Sequence, residues 1–163
     1  MIVLDSNIRQ AAEYLISHLE NFERKSVLRR GLTEASKLFA NRGRMNLASR
    51  IGRNIKHPSR STGQLLRSIT NAYRASRRKG RSGTAVAGFR YEQGAAGYHA
   101  HLVDLGSGPR YTESGAYRGV MPANYFWWDA RESEEYNAQE VMYEAIRSAV
   151  EEINARKYDT LGR

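Results

Sequence analysis

The sequence predicts an α+β fold, in which a small antiparallel sheet packs with an N-terminal helix or helix pair and a long C-terminal helix. Three observations predict it. Apolar residues recur at spacings of three and four over the first forty positions, two strand-like runs flank a glycine-bearing junction in the middle, and helical spacing returns after Pro122. At 163 residues the chain suits a single domain, since a chain of that length buries roughly two thirds of its unfolded surface.

The first helix begins at Asp5 and Ser6, both good caps, and carries Ile8, Ala11, Ala12, Leu15, Leu19 and Phe22 on one face. A second helical pattern follows in Val27, Leu28, Leu32, Ala35, Leu38 and Phe39 and is predicted to stop near Asn41-Arg-Gly43, a plausible C-cap. Residues 42–60 have weak periodicity, one proline and six basic side chains, and are expected to form an exposed basic loop or insert. Ser61 or Thr62 can then cap a short helix that buries Leu65, Leu66 and Ile69. The runs Thr70 to Arg78 and Thr84 to Glu92, joined by Lys79-Gly-Arg-Ser-Gly83, predict a hairpin whose buried face draws on Ala72, Ala75, Val86 and Phe89. Tyr98 to Ser107 is compatible with a short helix or a third strand. Residues 108–121, rich in glycine with Pro109, Tyr111, Thr112 and Tyr117, are expected to be a long loop. The final helix is predicted to start around Pro122-Ala-Asn124, with Asn124 as a possible cap, and to bury Ala138, Val141, Met142, Ala145, Ile146, Ala149 and Ile153. A polar tail, 158–163, is expected to fray.

Composition excludes several classes. No apolar run approaches the about 20 residues needed to cross a bilayer, and Met1 to Asp5 lacks the regions of a secretion signal, so no membrane partner and synthesis in a cytoplasm are expected. Without cysteine there is neither disulfide nor thiolate metal site. The charge is uneven: Ala35 to Tyr91 holds fourteen Lys or Arg and no acid, so against a whole-chain +9 the rest carries −5. Asn124 to Ala155 holds eight acids against Arg131 and Arg147. Such polarity suits either a basic part that meets phosphate or subunits that dock basic face on acidic face.

Enzymatic chemistry finds little footing. On a strand His99 and His101 would share one face with Asp104 nearby, but no further ligand converges, so neither metal nor cofactor is expected. No phosphate cradle, nucleophile elbow or metalloprotease helix is present. Among the basic residues Arg42, Arg44, Arg50, Arg53, Lys56, Arg60, Arg77, Arg78, Lys79 and Arg81 are candidates for a DNA path or an acidic partner, yet between Ala40 and Lys79 the only aromatic is Tyr73. The alternation of cation and aromatic found in single-strand binders is missing. The run Tyr125-Phe126-Trp127-Trp128 cannot all face one core, since successive helical residues turn by about 100°. With Tyr111 and Tyr117 these residues are candidates for a subunit interface, against burial within the chain.

Three segments stand in a telling order: Thr62-Gly63-Gln-Leu65-Leu66-Arg67-Ser68-Ile69, Tyr98-His-Ala-His-Leu-Val103-Asp104-Leu-Gly106-Ser107, and Pro122-Ala-Asn-Tyr-Phe126-Trp-Trp-Asp-Ala130. Together they resemble the phage minor tail-component family of neck and tail-completion proteins, from about Lys25 to Ile153. Asp104 stands where that family commonly has Glu and Ser107 where Thr is common. Gly63, Leu65, Ser68, Ile69, Val103, Asp104, Gly106 and Pro122 would be its fold motif, with Val103 and Leu105 packed inside and Gly106 at positive φ. The resemblance implies a non-enzymatic virion protein, assembled in a host cytoplasm as a ring, commonly sixfold, that joins tail to head. Its implied partners are copies of itself, head-closure or adaptor proteins, the tail tube protein and, by non-specific contact, packaged DNA. The alternative reading is a non-specific DNA-binding protein using residues 35–91.

Overall fold

The structure, a computed structural model, describes residues 6–17, 19, 21–50, 63–77, 83–91 and 97–161. In chain order these form α1 (Ser6–Ser17), α2 (Asn21–Arg50), α3 (Gln64–Ser68), β1 (Ile69–Arg74), β2 (Thr84–Phe89), a 3₁₀ turn (Gly97–His99), α4 (Ala100–Leu105), β3 (Ser107–Tyr111), β4 (Tyr117–Met121) and α5 (Phe126–Leu161). The α+β class holds, with two separate antiparallel two-stranded ribbons, β1–β2 and β3–β4, in place of one small sheet.

The residues group into two compact units. The first comprises Met1–Phe39, Asn71–Val86 and Glu134–Arg163. Within it α2 presents Val27, Gly31, Ala35 and Phe39, spaced by four, and α5 presents Ala138, Met142, Ile146 and Ala149, so each helix offers one narrow apolar row. The helices run antiparallel here, with Glu23 bonded to Lys157 at 3.0 Å and Arg30 to Glu152 at 2.8 Å. Glycine at position 31 allows the close approach: a Cβ there would lie 2.8 Å from Ile146 Cγ1 and 2.9 Å from the Met142 carbonyl oxygen.

The second unit comprises Ala40–Thr70 and Ala87–Ser133. Its core is Ala40, Leu47, Ile69 and Phe126, with Leu65, Leu66, Ala87, Phe89, Val103 and Trp127 packed around them. Phe89 meets Phe126 edge-on at 6.0 Å between centroids and Trp127 at 4.9 Å. Polar groups tie the elements together. Arg44 donates to the Ile69 carbonyl at 2.8 Å, the Ser68 hydroxyl to the Leu65 carbonyl at 2.7 Å, and the Arg90 N–H to the Ser68 carbonyl at 2.8 Å.

Several expectations are corrected. Helix α2 does not stop at Gly43 but continues to Arg50, so the expected basic loop 42–60 is helical over its first nine residues; 51–60 lie outside the described residues. Gly43 serves packing instead of capping, since a Cβ there would sit 2.5 Å from Trp127 Cζ3. Residues 108–121 are no loop: they supply most of β3 and β4, which pair Ser107 with Met121, Arg110 with Gly119 and Tyr111 with Tyr117. Pro109, which lacks an N–H, falls within the irregular stretch of that register and hid the strand from a pattern search. The described strands are shorter than expected, and β1 presents Ile69, Asn71 and Tyr73 inward while β2 presents Ala85, Ala87 and Phe89. Ala72 and Val86 face outward, because a shift of one residue exchanges the faces of a strand, and Ala75 is exposed beyond the end of β1. Tyr98 to Leu105 is helical, Leu105 is exposed, and α5 begins at Phe126 and runs to Leu161, into the expected tail. The proposed caps Asp5, Ser61 and Thr62 lie outside the described residues.

Gly43→Ala tests the close approach. Alanine would gain about 1 kcal/mol of helix propensity, but overpacking against an indole ring already in contact with Phe89 costs about 1–3 kcal/mol. The expected outcome is a net loss of up to about 2 kcal/mol in a urea titration; a midpoint that rises would refute it.

Candidate interaction surface

The start of α5 organises this region. Four N–H groups at the head of any helix lack helical acceptors. Here the buried carboxylate of Asp104, on α4, accepts from the N–H of Trp127 at 2.7 Å and more weakly from Trp128 at 3.4 Å. The Asp104 carbonyl also accepts from the N–H of Asn124 at 3.0 Å and Tyr125 at 2.8 Å. A negative group at a helix N-terminus is favoured by the helix dipole as well. Asn124 is therefore not the cap: its carbonyl accepts from Arg50 at 2.7 Å, and its buried side-chain oxygen has no partner among the described residues. Arg50 also binds Asp129 in the first turn of α5, and Asn46 donates to the Phe126 carbonyl at 3.0 Å.

Tyr125 links α5 to the chain before it with φ of 54°, a left-handed conformation that costs a non-glycine residue about 1 kcal/mol. The aromatic run then divides as helical geometry requires. Phe126 is wholly buried and Trp127 packs beneath Gly43 and Phe89, so both leave the set of interface candidates. Tyr125 and Trp128 remain about half exposed, at 50 % and 48 %.

The β3–β4 ribbon carries the other candidates. Tyr111 and Tyr117 are cross-strand partners with ring centroids 5.6 Å apart, yet they are 63 % and 62 % exposed. Val120 of β4 is exposed too, and Arg110 and Arg118 add positive charge. The turn is closed by paired bonds: the Thr112 N–H donates to the Ala116 carbonyl, and the Ala116 N–H to the Thr112 hydroxyl, both at 2.9 Å. Gly115, at φ of 81°, supplies the left-handed residue of that turn. Sequence reasoning had Tyr111 and Tyr117 but missed Val120, whose alternation is masked by Gly119.

The basic candidates scatter. Arg44 and Arg50 are spent on internal carbonyls and on Asp129, which removes them from a DNA path. Arg42 is half-buried and Arg77 exposed, whereas Arg53, Lys56, Arg60, Arg78, Lys79 and Arg81 lie outside the described residues. Along α5, Arg147 lies 3.7 Å from Glu144 and 3.1 Å from Glu151, and the hydrogen bond it donates to Glu151 raises its pKa above the ordinary value. Arg30, hydrogen-bonded to Glu152, holds that carboxyl below its ordinary value. His99 and His101 sit in a helical segment, where two residues span roughly 200–240°, so the shared strand face that suggested a metal site does not exist. Of the fold-motif residues, Ser68, Ile69 and Asp104 are buried, Leu65 and Val103 join the core, Gly63 and Gly106 have φ of 67° and 78°, and Pro122 is exposed. No helix among the described residues is long and apolar enough to cross a membrane.

Comparisons with protein-family models, with curated proteins and with solved structures each find no match.

Replacing Asp104 by alanine removes the shared acceptor of α5 and is expected to cost about 1–2 kcal/mol of stability, while Asp104→Asn, which keeps an acceptor oxygen, loses less. Urea denaturation of the two variants decides the matter. Equal losses, or none, would mean that the carboxylate is not what starts the helix.

Proposed function

We propose that this chain is a non-enzymatic structural subunit that associates head to tail with copies of itself into a ring, in the manner of the neck and tail-completion proteins of tailed phages. The observation that carries this reading is the β3–β4 ribbon, which is exposed almost throughout and holds Tyr111, Tyr117 and Val120 at its surface. A two-stranded ribbon is marginal in water by itself, and exposed aromatics on a ribbon gain stability when another surface covers them. Burying a side chain of this size contributes about 1.5–3 kcal/mol, so two or three of them supply a useful part of a subunit contact.

Charge favours a neighbour of the same kind. Glu132 is exposed on α5, as are Glu144 and Glu151, which share Arg147, while Arg67, Arg74, Arg77 and Arg90 are exposed within the basic stretch. One copy thus presents acids where another can present cations, and a contact between unlike surfaces is heterologous, which closes into a ring when the rotation permits. The resemblance of the Gly63–Ile69, Tyr98–Ser107 and Pro122–Ala130 segments to the phage family supports the same reading. Within it the partners are further copies, the neighbouring neck proteins and the tail tube protein, and the location is the virion neck.

Light scattering across protein and salt concentration tests the proposal. Wild-type protein is expected to show a discrete oligomer that grows in with concentration. Tyr111→Ser with Tyr117→Ser is expected to lower that mass at least tenfold in association constant while leaving the melting temperature within about 2 °C, because both side chains are exposed in the subunit. A wild-type chain that remains monomeric at every concentration and salt sinks the reading.

A further inference from the structure

The first unit contains a groove of about 330 Å³ lined by Lys25, Ser26 and Arg29 of α2 and by Tyr73, Ser76 and Gly83 around the ends of β1 and β2. Lys25 and Arg29 are four residues apart, so one helical face brings both cations to the same place. Their neighbours on α2 are used otherwise, Glu23 by Lys157 and Arg30 by Glu152. Among the described residues neither Lys25 nor Arg29 has a carboxylate partner. Arg29 lies instead over the Tyr73 ring, 5.4 Å from its centroid, which orients a guanidinium without consuming its N–H groups. The ring is itself fixed. The Gly83 N–H donates to the Tyr73 hydroxyl at 3.1 Å, and any Cβ at position 83 would strike that hydroxyl.

We infer that this groove is a phosphate-binding site that takes the backbone of a nucleic acid, with Lys25 and Arg29 each meeting a phosphate and Tyr73 offering its hydroxyl and ring edge. Two cations without carboxylates, hydroxyls from Ser26 and Tyr73, and a preset aromatic ring match a phosphodiester and its sugar. Tyr73 is also the single aromatic between Ala40 and Lys79, and Arg74 and Arg77, exposed beside it in the chain and in the same unit, favour a polyanion over a lone anion. No base edge is read by such a set, so binding is indifferent to sequence. The inference requires no ring and stands apart from the proposed assembly.

The test is fluorescence anisotropy of a labelled duplex against wild type, Lys25→Ala/Arg29→Ala, and the charge-matched Arg131→Ala/Arg147→Ala, over a range of salt. The groove pair is expected to weaken binding on the order of tenfold and to reduce the slope of log K against log salt by about two, with the matched pair changing neither. Gly83→Ala, which removes no charge, is expected to weaken binding as well by displacing Tyr73. Equal losses from the two charge pairs would mean that net charge alone attracts DNA, and would overturn the site. Saturable binding of inorganic phosphate without duplex binding would overturn the nucleic-acid assignment. A groove pair that lowers oligomer mass yet leaves duplex binding intact would overturn it too, and would make the groove a seat for an acidic protein surface.

Discussion

A helix of thirty-six residues begins with N–H groups that no helical carbonyl can accept, and in this chain the acceptor comes from elsewhere in the sequence. Asp104, in the last turn of α4, opens α5: its carboxylate accepts from Trp127 and Trp128, and its carbonyl from Asn124 and Tyr125. Its backbone bonds help to hold Tyr125 in the left-handed conformation that sets the direction of α5. Phe126 then falls into the core and Trp127 against Gly43 and Phe89, while Arg50 reaches over from α2 to the Asn124 carbonyl and Asp129. The packing of the second unit follows from that start. A residue first considered for metal binding is in place of that a structural acceptor.

How much of this was legible depends on the physical signal each element leaves. The rows of α2 and α5 were readable because a helix that buries one face repeats its apolar residues at three and four, as Val27, Ala35, Met142 and Ile146 do. The β3–β4 ribbon was not, because Gly108, Pro109, Gly115 and Gly119 interrupt a strand pattern that little burial enforces, and an exposed strand has no need to alternate. Helix ends were missed for a related reason. Local rules seek a cap nearby, as at Asn124 or Gly43, whereas the acceptor for α5 lies more than twenty residues upstream, and Gly43 answers to a ring from another helix.

The candidate surface divides in the same way. Tyr111 and Tyr117 were marked by being aromatic in a polar, glycine-rich segment, and both prove exposed. The four aromatics at the start of α5 could be divided only once the phase of the helix was known, with Phe126 and Trp127 inward and Tyr125 and Trp128 outward. Charge gave a poorer guide. The uncompensated run of cations was visible at once, but Arg44 and Arg50 within it satisfy carbonyls and a carboxylate, whereas Lys25 and Arg29, outside it, line the groove. A count of charges does not distinguish an arginine that holds a fold from one that awaits a partner.

The two glycines of α2 carry a consequence for how the chain can vary. Gly31 and Gly43 leave room that Ile146 and Trp127 fill, so the volume absent from one helix is present on the other. Each pair behaves as one packing unit with two addresses in the sequence: enlarging the glycine and trimming its opposite residue together preserves the space that either change alone would spoil. Variation at these positions is therefore coupled by volume. Drift in this chain is confined there to paired exchanges, while the exposed face of the same helix accepts single ones.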